Sequence, residues 1–151
     1  MERNRLQILS RIFLTVFGLF IFFGCVEEDC ERIEHTAKTY ADGQKKVIII
    51  YELCGEESVP AAKKHLAENG TVLMQGGLAP NGDRDSKWEA FFPNGKLRSV
   101  MHYKNGIKHG KSEVYYPNGQ LNYSGKYKNG DRSGTWRYYD EQGNELKSQK
   151  F

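Results

Sequence analysis

The stretch Tyr115-Tyr116-Pro117-Asn118-Gly119-Gln120-Leu121, continued by Asn122-Tyr123-Ser124-Gly125-Lys126-Tyr127-Lys128-Asn129-Gly130, decides the fold. Its glycines and asparagines could cradle a ligand or reverse the chain. From Leu121 the side chains alternate, with Leu121, Tyr123, Gly125 and Tyr127 on one face and Asn122, Ser124, Lys126 and Lys128 on the other, which is the period of a strand and not of a helix. Pro-Asn-Gly suits a type I turn closed by a left-handed glycine, because proline presets φ at the second position and glycine tolerates φ > 0 at the fourth. That turn sets Tyr115 opposite Leu121, so turn chemistry and apolar pattern agree. The glycines turn the chain.

Working outward, the same pattern returns. Phe91-Phe92-Pro93-Asn94-Gly95-Lys96-Leu97 precedes the quoted stretch by 24 residues, and Asn81-Gly82, Asn105-Gly106 and Asn129-Gly130 keep that step, as do Gly95, Gly119 and Gly143. Gly95, Gly119, Gly143, Gly106 and Gly130 are therefore structural turn residues. Trp88 recurs at Trp136, with Ser112 as the odd member between them. Fainter copies start at Tyr40-Ala41-Asp42-Gly43 and at Asn69-Gly70. Self-similarity of this kind marks a repeat architecture. The expected fold is all-β, an elongated, twisted, single-layer meander of antiparallel hairpins in about five repeats over residues 36–151, clearest over 81–151. Ser58 to Glu68 admits a second reading: a possible N-cap, an early proline and good helix formers suggest a helix, whereas the repeat register makes it a strand. We favour the strand, since tertiary context overrides weak propensity.

The residues Gly134-Thr135-Trp136-Arg137-Tyr138-Tyr139 ahead of Gly143, with Tyr-Tyr-Pro-Asn-Gly-Gln-Leu ahead of Tyr127-Lys128-Asn129-Gly130, resemble the bacterial variant of the MORN repeat. Proteins built from it often carry the label YwqK-family antitoxin. The resemblance implies an architecture and, through that label, a toxin as a partner. Ser112 in place of tryptophan and Ala67 in place of the second aromatic interrupt the pattern.

The chain opens with Arg3, Arg5 and Arg11, then the apolar run from Ile12 to Phe23, then Gly24-Cys25. A spanning helix needs roughly 20 apolar residues, and this run matches the shorter apolar core of a secretory signal, about 7–15 residues. A small residue followed by cysteine resembles the lipobox of bacterial lipoproteins, although Phe22 and Phe23 depart from its usual leucine and small residue. The resemblance implies removal of residues 1–24 and acylation of Cys25, hence a lipid-anchored protein of the bacterial cell envelope. An uncleaved membrane anchor is the other reading. Residues 25–35, with Glu27, Glu28 and Asp29, read as an acidic tether or as a surface-export signal. In an oxidising compartment Cys30 and Cys54 can pair; two free thiols are the alternative.

The formal charge is +3, and Arg3, Arg5 and Arg11 outweigh Glu2 by two of it, which points away from nucleic acid. Gly106-Ile107-Lys108-His109-Gly110-Lys111-Ser112 imitates a phosphate loop but is one residue short between its glycines. His35, His65, His102 and His109 show no ligand spacing, so no metal or cofactor is expected. No pair of carboxylates converges, and no enzyme is expected. What remains is aromatic density. Trp88, Phe91, Tyr115, Tyr116, Tyr123, Tyr127, Trp136 and Tyr139 are candidate binding-surface residues, because tyrosine and tryptophan suit interfaces where a ring is covered and its polar tip stays wet. The expectation is a scaffold binding another protein or an envelope polymer. The alternative is an antitoxin or immunity protein that blocks a toxin by occlusion.

Overall fold

The computed structural model describes residues 30–151. Cys25 and the signal segment lie outside the described residues. Ten strands follow in chain order: β1 (Glu31–Thr39), β2 (Lys45–Cys54), β3 (Glu57–Leu66), β4 (Val72–Leu78), β5 (Arg84–Phe91), β6 (Leu97–Lys104), β7 (Ile107–Tyr115), β8 (Leu121–Lys128), β9 (Asp131–Tyr139) and β10 (Glu145–Lys150). They form one sheet in the order of the sequence, every neighbouring pair antiparallel. The hairpin meander is what the alternation and the Pro-Asn-Gly spacing predict. Tyr115 faces Leu121 and Phe91 faces Leu97, the expected register.

Two turn types alternate along the sheet. On one side five-residue turns begin at Tyr40, Ala67, Phe92, Tyr116 and Asp140, each closed by a glycine N–H donating back to the first residue's carbonyl. On the other side Asn105-Gly106 and Asn129-Gly130 close their hairpins in two residues, with φ of 47° and 52° at the asparagines and 80° and 96° at the glycines. Two successive positive φ values are the type I′ geometry, whose twist matches that of the strands. The Gly106 and Gly130 N–H groups then bond the carbonyls of Arg84 and Lys108 in the preceding hairpin, 2.7 and 2.9 Å away.

Residues 58–68 are strand, as the repeat register requires. Pro60 is accommodated because it lies beside the bulge between the Ile50–Ala62 and Tyr51–Pro60 pairs, and β4 pairs β3 only from Ala62 onward. A proline beside a bulge, beyond the second partner strand, removes no ladder hydrogen bond. The sheet also starts earlier than the 36–151 boundary, since residues 31–35, taken as tether, belong to β1. They pair with Ile49 to Leu53 of β2. Cys30 and Cys54 form a disulfide at the end of this hairpin, Cα atoms 4.4 Å apart.

A second bulge recurs with the repeat. The β4–β5, β6–β7 and β8–β9 ladders each lose register at the same place, and Ser86, Gly110 and Gly134 there adopt φ of 57°, 95° and 66°. These positions are 24 residues apart. Bulges bend a strand and increase its twist, so the bend is a property of the repeat unit.

Candidate interaction surface

A sheet one layer thick has no second layer to cover it, and its few buried side chains are found where rings close over backbone. Neighbouring strands align Ile49, Lys63, Gly76, Trp88, Met101, Ser112, Gly125 and Trp136 in one row across β2 to β9, on a single face. A methyl group on Gly76 would lie inside the Trp88 indole, and one on Gly125 inside that of Trp136. Each indole N–H donates to the carbonyl just after its glycine, Trp88 to Gly77 at 2.7 Å and Trp136 to Lys126 at 3.2 Å. Where Ser112 replaces tryptophan, its cross-strand partner is Met101 in place of glycine. The small and large members of the pair exchange together. Ser112 is fully buried, and its hydroxyl finds no hydrogen-bond partner among the described residues.

This arrangement corrects one expectation. Trp88 and Trp136, expected on the binding surface, are only 3% and 0% exposed and form the core of the repeats. Trp136 is enclosed by Tyr127 edge-on at 5.1 Å between centroids, Tyr123 at 5.9 Å and Phe151 at 6.3 Å. Tyr123 and Tyr127 remain half-buried on the same face. Burial raises the Tyr123 phenol above its ordinary value, with Tyr127 adding to the effect. Phe91 and Tyr115 close the ends of their strands. Tyr115 adjoins Glu113 on the opposite face, its phenol also raised first by burial and then by that carboxylate. Tyr116 stands at the head of a turn and donates its hydroxyl to the Tyr139 carbonyl at 2.9 Å, as Tyr40 does to Leu66 at 2.8 Å. Phe92, at the equivalent place, has no hydroxyl to give.

The feature that the sequence reading missed is a row of cations lying on this aromatic face. Arg84 lies 4.4 Å from the Trp88 ring and 5.4 Å from Tyr103, Lys108 lies 5.0 Å from Tyr127, and Arg132 lies 4.6 Å from Trp136 and 5.4 Å from Phe151. Cations on ring faces are attracted by the ring quadrupole. Arg84, Lys108 and Arg132 are 24 residues apart, and so are Tyr103, Tyr127 and Phe151. That doubled step was visible in Tyr-Lys-Asn-Gly-Ile-Lys at 103–108 and Tyr-Lys-Asn-Gly-Asp-Arg at 127–132. Tyr103 pairs with Lys108 and Tyr127 with Arg132 across their turns, so all of them share one face.

The two faces differ in how their charges are used. On the other face Lys64 pairs with Glu34 at 3.2 Å, Lys87 with Glu89 at 2.8 Å and Lys111 with Glu113 at 2.8 Å; Arg137 approaches Glu145 at 3.8 Å. Exposed pairs of this kind contribute about 0–1 kcal/mol each. None of the ion pairs among the described residues includes Arg84, Lys108 or Arg132. Beside them lies a groove of about 190 Å³ lined by Met74, Arg84, Arg98, Met101 and Tyr103. His102 and His109 do not converge: His102 Nδ1 lies 3.0 Å from the Lys111 carbonyl, and His109 faces the Asn129 N–H. Gly106 to Ser112 runs from a turn straight into β7, with no helix for phosphates to meet.

Residues 84–105 and 108–129 match the family model described as the MORN repeat variant. These two segments are the consecutive 24-residue units that carry Arg84 with Tyr103 and Lys108 with Tyr127. Neither the curated proteins nor the solved structures gave a match.

Proposed function

We propose that this MORN-repeat chain is a binding scaffold, lipid-anchored in the cell envelope, whose aromatic and cationic face engages another protein or an envelope polymer. MORN repeats often act as protein- or membrane-binding modules. The observation that carries the reading is the contrast between the faces: one neutralises its charges internally, the other presents Arg84, Lys108 and Arg132 over half-buried rings with no covering layer. The Cys30–Cys54 disulfide supports an oxidising, extracytoplasmic address. Acylation of Cys25 would supply the anchor, and two or more acyl chains hold a protein stably at a membrane. Binding by such a face needs no catalytic group. An immunity protein that occludes a toxin would use the same face.

Two measurements test this. A photo-crosslinking amino acid placed at Tyr127 or Tyr138 should form an adduct in cells that the same group at Lys87 or Lys111 does not; adducts independent of face, or none, reject the scaffold. Fatty-acid labelling that disappears in Cys25→Ser supports the anchor, and unlabelled soluble protein rejects it. Suppression of a lethal neighbouring gene product would select the immunity role.

A further inference from the structure

Resting on the scaffold reading, we infer that the ladder formed by Arg84, Lys108 and Arg132 binds an extended acidic peptide in the polyproline II conformation with a carboxylate at every third residue. The three cations lie on β5, β7 and β9, two strands apart in each step. Strands are spaced about 4.8 Å apart, so the cations recur every ~9.6 Å across the sheet. A polyproline II chain rises about 3.1 Å per residue with three residues per turn, which places every third side chain on one side at a pitch of ~9.3 Å. Over two steps the mismatch is roughly 0.6 Å. An extended β-strand fails this match, because its same-face side chains recur at about 6.7 or 13 Å.

Charge selects the occupant. The ladder carries three cations without carboxylate partners among the described residues, whereas every comparable cation of the opposite face already has one. The rings beneath select it further. Sugars stack on bare ring faces, and here the faces of Trp88, Tyr127 and Trp136 are occupied by Arg84, Lys108 and Arg132. What is presented outward is guanidinium and ammonium edged by tyrosine. Aromatic-lined surfaces recognise polyproline II segments, and arginine clusters recognise acidic motifs. The peptide would cross the strands and would not extend the sheet at its edge.

The test uses the full chain and a labelled peptide of four Glu-Pro-Pro units, followed by fluorescence anisotropy. Comparison probes are four Gln-Pro-Pro units, a peptide of equal length and charge with glutamates at alternate positions, a hexagalacturonate, and phosphatidylglycerol vesicles. The Glu-Pro-Pro peptide should bind tightest and lose affinity with added salt. The triple variant Arg84→Gln, Lys108→Gln, Arg132→Gln should bind it ~10-fold more weakly, since each screened pair supplies a factor of about two or more. Lys64→Gln, Lys87→Gln, Lys111→Gln removes the same charge from the other face and should bind as the parent does. Because Arg84 and Arg132 also cover tryptophans, Arg84→Lys with Arg132→Lys provides a folded variant that keeps the charge and should keep binding.

Equal affinity for the two glutamate spacings, equal loss in the two triple variants, or no peptide binding overturns the inference. Preferential binding of the uronate or the vesicles through the same three cations also overturns it, and leaves the scaffold reading standing with another partner. Loss of the face-specific crosslink removes the scaffold reading itself.

Discussion

The indole of Trp136 rests on the backbone of Gly125 in the adjacent strand, where no Cβ can be accommodated. Gly125 has no positive φ, so its requirement is steric and comes entirely from the ring. Met101 and Ser112 hold the equivalent places one repeat earlier, with the bulk moved to the other strand. Gly125→Ala should therefore lower stability by about 1–3 kcal/mol through overpacking. In a Trp136→Ser background, itself weakened by roughly 3–5 kcal/mol, the same substitution should cost under about 0.5 kcal/mol. Urea unfolding of the four proteins measures the coupling; additive effects would show that the ring and the glycine are independent.

Ser86 adopts a φ of 57° where the two later repeats have Gly110 and Gly134. The left-handed conformation costs a residue with a Cβ roughly 1–2 kcal/mol. Ser86→Gly should raise stability by about 1 kcal/mol, with only the exposed hydrogen bond from its hydroxyl to Asp85 lost. Gly110→Ser should have the opposite sign. A lower melting temperature for Ser86→Gly would show that the serine side chain outweighs the strain.

The disulfide ties an edge strand that pairs only with β2 and is exposed along nearly its whole length. Closing a loop of this size contributes roughly 3 kcal/mol in the chain-entropy model. In a repeat array that stability is local, because each unit contacts only its neighbours. Reduction, or Cys54→Ser, should speed amide exchange in Glu31–Thr39 and leave β6 to β9 protected. Uniform loss of protection across all ten strands would contradict this locality.

His65 should make stability fall as pH drops through 6.5. Burial, then the charges of Lys63, Arg84 and Lys38, lower its pKa below the ordinary 6.5. The unfolded chain therefore takes up the proton first, so stability is complete above pH 6.5 and declines below it until the folded protein also protonates. Further loss follows at lower pH. Glu89 is held below 4.5, chiefly by its hydrogen bond from Lys87, and Asp85 and Asp140 below 3.8 by hydrogen bonds from the Asn105 N–H and the Asn144 side chain. Their contributions are present above those ordinary values and vanish as pH falls through the lowered ones. His65→Gln should flatten the stability profile between pH 6.5 and 4.5; an unchanged slope there would assign it to another group.

The alternation after Leu121, the Pro-Asn-Gly turns and the 24-residue step determine the strands, their register and their order, because each hairpin is specified by contacts within about 20 residues of sequence. Even Ser58 to Glu68, with local helix signals, follows the repeat: its neighbours β2 and β4 supply partners, and Pro60 finds a bulge. The aromatic positions were equally legible. What only the tertiary structure decided is which rings are surface and which are core. Strand alternation puts Trp88, Tyr103, Tyr127 and Trp136 on one face without saying that glycines at 76 and 125 let the indoles fold flat, or that Arg84, Lys108 and Arg132 then lie over the rings. Side-chain direction within a face depends on the volumes opposite, and those belong to residues 11 or 12 positions away on another strand.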